Sequence, residues 1–115
     1  MSTSEFLSRA SKTKEKRSQI DEKDDIETPF VKYAERNRCK ALKLILLRKK
    51  GFPDRTVLCP GSKLFFIEFK RPGKLQTPPQ KVVQRLLVSF GFEYHLCDHP
   101  GQAEDILDKV LALSL

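Results

Sequence analysis

Apolar residues are sparse in the first 25 positions and then recur in blocks whose period changes along the chain. Residues 1 to 25 offer Phe6, Leu7 and Ile20 as almost the only anchors among serines, lysines and acids. So little surface can be buried there that ordering the backbone is not offset, and the stretch reads as a flexible charged arm. From Ile26 onward, Phe30, Val31 and Ala34 fall near helical spacing, with Pro29 tolerable only in a first turn; a first helix is expected over about residues 26 to 39. Ala41 to Arg48 contains the run Leu-Lys-Leu-Ile-Leu-Leu, short for a buried helix and bounded by Lys49-Lys50-Gly51, so it is predicted as a strand. Arg55 to Cys59 and Leu64 to Lys70 are two further strands, joined by the turn signal Pro60-Gly61-Ser62-Lys63 into a hairpin.

The second half continues the alternation. Thr77-Pro78-Pro79-Gln80 opens a helix, with Thr77 as N-cap, Pro78 at the first helical position and Gln80 as the partner in a capping box. Val82, Val83, Leu86, Leu87 and Phe90 form its expected apolar stripe, and Gly91 ends it. Phe92 to Cys97 alternates as a strand with Phe92, Tyr94 and Leu96 on one face. After the turn Asp98-His99-Pro100-Gly101, a last helix runs from Gln102 to Leu113 and buries Ile106, Leu107, Val110 and Leu111. The order helix, strand, strand, strand, helix, strand, helix predicts an α/β sandwich around a mixed sheet.

Within that pattern the third predicted strand is anomalous. It is apolar on both faces and so reads as central, yet it ends in Glu68-Phe69-Lys70, with both charges on one side. Charges there are costly unless paired, hydrated or bound to a metal. If the hairpin pairs antiparallel, Asp54 returns to the level of Glu68 and Lys70, and two carboxylates and an ammonium converge. Two carboxylates without a soft ligand suit a hard divalent cation such as Mg2+ together with phosphate oxygens. Lys70 would sit beside the attacking water and steady charge on phosphorus, so the chemistry expected is phosphodiester hydrolysis.

Charge supports that direction once it is divided along the chain. The net charge is +7, but residues 26 to 85 carry fifteen of the 22 basic residues against four acids, Glu27, Glu35, Asp54 and Glu68. Such a concentration is the footprint of a nucleic-acid backbone partner. Arg71 and Lys74 lie in the loop after the central strand, where Gly73 permits close approach of a phosphate backbone, and Arg55, Lys81 and Arg85 are further candidates for contact with DNA. Lys43 either snorkels from an apolar strand or points at phosphate in the cleft.

Other function classes are disfavoured. At 115 residues the chain has room for one modest core, so residues 26 to 115 are read as one domain. No apolar run has membrane-spanning length and the N-terminus is too polar for a signal peptide, which leads us to expect a cytoplasmic protein. Cys39, Cys59 and Cys97 cannot all pair and read as buried reduced thiols. His95, Cys97 and His99 lack the spacing of structural zinc sites, and no orienting group accompanies a Cys-His nucleophile. No nucleotide cofactor is expected.

Pro53-Asp54 followed by Glu68-Phe69-Lys70 matches the PD-(D/E)XK nuclease pattern. The longer string is more specific: Gly51-Phe52-Pro53-Asp54-Arg55, Phe66-Ile67-Glu68-Phe69-Lys70-Arg71-Pro72-Gly73-Lys74, Thr77-Pro78, Gln80, and Leu87 followed by Gly91. Over roughly residues 26 to 98 it resembles the virus-type replication-repair nuclease (VRR-NUC) family, in particular its stand-alone phage-like members. The resemblance implies a restriction-endonuclease-like core and a Mg2+- or Mn2+-dependent DNA endonuclease. Asp54, Glu68 and the backbone carbonyl of Phe69 would hold the metal, and Lys70 would assist the water. It further implies that Glu27 is a first-helix glutamate near the metal, where the residue alone suggests only a favourable dipole interaction. Gln80 would likewise face the site, although its capping role already accounts for it. Stand-alone members of that family are similar to junction-resolving enzymes, which implies a homodimer acting on branched DNA such as a four-way (Holliday) junction.

Overall fold

A computed structural model of the chain describes residues 19–46 and 50–113. Residues 1–18, most of the expected arm, lie outside the described residues, as do residues 47–49, which include the end of the expected first strand. The first helix begins earlier than its apolar pattern, inside the stretch assigned to the arm. Asp21 caps it, its carboxylate accepting from the Asp24 N–H at 2.7 Å. Glu22–Glu27 is wound as a π-helix and continues into helix α1, Thr28–Arg36. Pro29, which has no N–H to give the preceding turn, stands where the winding changes.

Strand β1 is Lys40–Leu42, β2 is Arg55–Cys59 and β3 is Lys63–Phe69. Helix α2, Pro78–Ser89, then carries the chain to β4, Glu93–Cys97, and α3, Gln102–Ala112, follows. The strands lie in the order β1-β2-β3-β4, with β1, β2 and β3 antiparallel and β4 parallel to β3. This is the mixed sheet expected, with β3 inside it. The first strand is shorter than its apolar run: pairing stops at Leu42 opposite Thr56, and Lys43 to Leu46 are irregular. Its partner begins only at Arg55, after Pro53, which has no N–H to donate to a ladder.

One face of the sheet packs Val57, Phe65, Ile67 and Phe69 against Ile26, Phe30 and Ala34 from the first helix and Ala103, Leu107 and Val110 from α3. The opposite face is thinner, with Phe66 against Val83 and Leu87 of α2, edged by Phe52, Leu64 and Tyr94. Only those two positions of the stripe expected on α2 are buried. Val82, Leu86 and Phe90 are exposed, because they form a neighbouring line at i, i+4 and i+8 that turns away from the sheet. Among the described residues, no helix is long and apolar enough to cross a membrane.

The capping box is formed as the sequence predicts. Thr77 accepts from the Gln80 N–H at 3.4 Å, and the Gln80 side chain accepts from the Thr77 N–H at 2.8 Å. Thr77→Ala removes one of the two bonds and is expected to cost about 1 kcal/mol. Thermal unfolding should then show a fall in Tm of about 4–8 °C.

Candidate active site at the open end of the hairpin

The register of β2 and β3 pairs Arg55 with Ile67 and Thr56 with Phe66, which brings Asp54 level with Glu68 as the hairpin reading requires. Asp54 Oδ2 accepts from the Phe69 N–H at 2.7 Å, so its carboxylate is fixed to the end of the central strand. Glu68 is fully buried. Its Oε1 accepts from the Tyr94 hydroxyl at 2.6 Å, and its Oε2 is buried with no hydrogen-bond partner among the described residues. An orphaned carboxylate oxygen in the interior is costly unless something cationic completes it. Lys70 is buried beside this pair at 6% exposure.

The electrostatics follow from that geometry. Burial pushes the Asp54 carboxyl above the usual carboxylate range, against the Phe69 N–H that favours its charged form; the charge of Glu27 adds to the rise, and Lys70 and Lys43 oppose it. Burial also raises Glu68, against the Tyr94 hydrogen bond and Lys70, while the charge of Asp54 raises it further. In the absence of a cation, both acids hold their protons more tightly than an exposed carboxyl.

Asp54 opens onto a cavity of about 730 Å³ whose wall also includes Glu22, Glu27, Lys43, Arg71 and Lys74. The fold thus gathers three of the expected phosphate-contacting residues, from the irregular segment after β1 and from the loop after β3. Glu22 belongs to the same cluster. Burial and the charge of Asp54 raise its carboxyl, while Lys70, Lys74 and the Arg71 backbone N–H oppose the rise. The π-helical winding explains its presence: hydrogen bonding from i to i+5 aligns residues five apart, so Glu22 and Glu27 both reach the cavity. In an α-helix they would point about 140° apart.

Three expected site residues are placed differently. Arg55 does not face the cavity; its Nε lies 2.8 Å from Glu27 Oε2 and its Nη1 donates to the Ala41 carbonyl at 3.1 Å, because a guanidinium on this half-buried position finds both acceptors within the domain. Glu27 is consequently a buried partner of Arg55, with Lys23 a further 4.0 Å contact, and although it borders the cavity it does not complete a metal-binding group. Among the described residues, no three His, Cys, Asp or Glu side chains come together in such a group. Gln80 spends its side-chain oxygen on the helix cap. Lys81 and Arg85 border a separate, shallower groove of about 570 Å³ on α2, together with Gln76 and Gln84.

Sequence reasoning passed over Glu22, Gln76 and Tyr94. Tyr94 alternates with Phe92 and Leu96 and is indistinguishable by period from a packing residue. Gln76, whose amide lies against both Glu68 and Tyr94, sits in a loop with no repeating pattern to flag it. The cysteines behave as expected: all three are free and buried, and burial pushes the thiols of Cys59 and Cys97 up to about 12. His95 and His99 are engaged by the neighbouring carboxylates Glu93 and Asp98.

Comparison with known proteins agrees with this architecture. No protein-family model matches the sequence. A curated relative, "Putative nuclease p44" of Acyrthosiphon pisum secondary endosymbiont phage 1, is 32% identical over 75 residues, spanning 65% of this chain and 81% of the relative. A solved structure described as a VRR_NUC domain shares the fold, with a TM-score of 0.61 at 22% identity, covering 71% of this chain and 94% of that one. With the ordered motif from Gly51 to Gly91, the hairpin that carries it and these two likenesses, the chain belongs to the same nuclease family as that phage protein and has the fold of a VRR_NUC domain.

Proposed function

We propose that this domain is a Mg2+- or Mn2+-dependent endodeoxyribonuclease that acts on branched DNA, four-way junctions in particular, as a homodimer. The observation that carries the reading is the buried, unpartnered Oε2 of Glu68, level with Asp54 and beside Lys70. Hard oxygen donors around an unsatisfied carboxylate fit a small divalent cation. Asp54, Glu68 and the carbonyl of Phe69 would hold it. When bound, such an ion stabilises negative charge on a phosphate and makes water a stronger acid. Lys70 donates to the attacking water and steadies the charge that develops on the phosphoryl oxygens. Lys43, Arg71 and Lys74 seat the scissile phosphate and its neighbours, and Lys81 and Arg85 bind the backbone further along α2. Glu27 and Gln80 act at one remove, the first by fixing Arg55 beside Asp54 and the second by fixing the start of α2.

The branched substrate and the two-fold assembly rest on family resemblance and on the surface. A domain of this size has little area to grip a junction alone, and the exposed line Val82, Leu86 and Phe90 gives a second copy an apolar surface to cover. The test is cleavage of labelled four-way junctions, flaps and plain duplex in Mg2+ or Mn2+, run beside sedimentation. Faster cleavage of junctions by a dimer is expected, with Asp54→Ala inactive. Equal rates on all substrates would remove the structure preference. Silence of both wild type and Asp54→Ala on every substrate would remove the nuclease reading.

A further inference from the structure

Tyr94 and Glu68 stand on adjacent parallel strands, but they are not register partners. Phe66 pairs with Tyr94 and Glu68 with Leu96, so the Tyr94 ring reaches two positions along β3 for its hydroxyl to meet Glu68 Oε1 at 2.6 Å. A phenol is long and stiff enough to do this with only two rotatable bonds. The ring is also held, packing at the edge of the cluster of Phe66, Val83 and Leu87. Glu68, by contrast, has three side-chain torsions, and nothing covalent decides which of its oxygens takes the hydroxyl. With Oε1 taken by the hydroxyl, Oε2 is left bare and buried. The Gln76 amide lies against both groups, and among the described residues its Nε2 is buried without a hydrogen-bond partner.

We propose that Tyr94 is a positioning residue for the metal site: by engaging Glu68 Oε1 it fixes the carboxylate so that Oε2 alone is offered to the cation. This rests on the metal-site reading above. It adds a residue from β4, outside the motif carried by the hairpin and α2. Partners behind a ligand usually set metal affinity by 10–100-fold, because they fix the ligand's orientation before the ion arrives.

The test is Mn2+ binding to the DNA-free protein, followed by electron paramagnetic resonance or calorimetry, for wild type, Tyr94→Phe and Glu68→Gln. Tyr94→Phe deletes one oxygen and keeps the packed ring. Its Kd for Mn2+ is expected to rise by about 10-fold or more while Tm stays close to wild type. Cleavage at limiting Mn2+ should fall in parallel and recover as Mn2+ is raised, a recovery that a purely structural defect does not give. Unchanged or tighter Mn2+ binding by Tyr94→Phe, with Glu68→Gln impaired, overturns the assignment of Tyr94 and leaves the metal site standing. Wild-type affinity in Glu68→Gln overturns the metal-site reading, and the role of Tyr94 with it.

Discussion

Glu68→Gln is expected to reduce cleavage by about 10³-fold, the scale seen when a preorganised charge-stabilising group is removed from a reacting centre. The same change should leave DNA binding in the absence of metal as tight or tighter, because it removes one buried negative charge that would otherwise repel phosphate at the site. A non-catalytic binder would show the second effect without having any turnover to lose. Filter binding and single-turnover cleavage on one substrate separate these outcomes.

The variant is also expected to be more stable than wild type when metal is chelated. Burial raises Glu68 above the ordinary carboxylate range even after Lys70 and Tyr94 have acted in the other direction, so the folded state holds that proton more tightly than the unfolded chain. The stability this group contributes is therefore full below the unfolded carboxylate range and is lost as pH rises through the raised folded value. Glutamine has no proton to lose. The two proteins should thus melt together in acid and diverge towards neutral pH, with Glu68→Gln higher by about 0.5–2 kcal/mol. Added Mg2+ should narrow or reverse the gap by binding folded wild type alone. A variant less stable than wild type at neutral pH in chelator would contradict the charge cost assigned to this carboxylate.

Gly51→Ala is expected to give the largest loss of stability of any substitution outside the two cores. Gly51 has φ +86°, and a Cβ there would lie 2.4 Å from the carbonyl carbon of Pro79 and 2.6 Å from the Gln80 nitrogen. Both are backbone atoms of the first turn of α2, which cannot swing aside. Left-handed strain and forced separation together amount to about 2–5 kcal/mol, a fall in Tm of more than about 10 °C. Gly73 supplies the control. Its φ is +85°, but none of the described residues lies within 4 Å of a Cβ placed there, so Gly73→Ala should incur only the strain, about 1–2 kcal/mol. Comparable losses from the two would show that the contact between Gly51 and α2 is not tight. Because Gly51 lies three residues before Asp54, the same contact fixes the approach of Asp54 to Glu68.

The hairpin was the most legible part of this chain. Period-two alternation and one turn fix which residues of β2 and β3 share a face, and a fourteen-residue separation then has one antiparallel solution that brings Asp54 to Glu68. The capping box was legible for a similar reason, since both partners lie within four residues. Local rules reached less far elsewhere. Apolar character alone extended the first strand to Arg48, but pairing needs a partner backbone, and β2 begins only after Pro53. The start of the first helix was missed because an acidic run carries no apolar period, and its π-helical winding, which brings Glu22 to the cavity, is a property of hydrogen bonding and not of composition.

The sequence by itself determined the order of elements, the mixed α/β architecture and the acidic pair with its lysine, because each follows from spacing within a few residues or across one tight turn. Tertiary structure decided which charges are free to act. Arg55 looks like a phosphate ligand in the chain and becomes the partner of Glu27 in the fold; Tyr94 looks like packing and becomes the donor to Glu68. The reason is common to both. A charged or hydroxyl-bearing side chain takes whichever complementary group comes within about 3 Å, and that neighbour arrives from a distant element whose position no local pattern encodes.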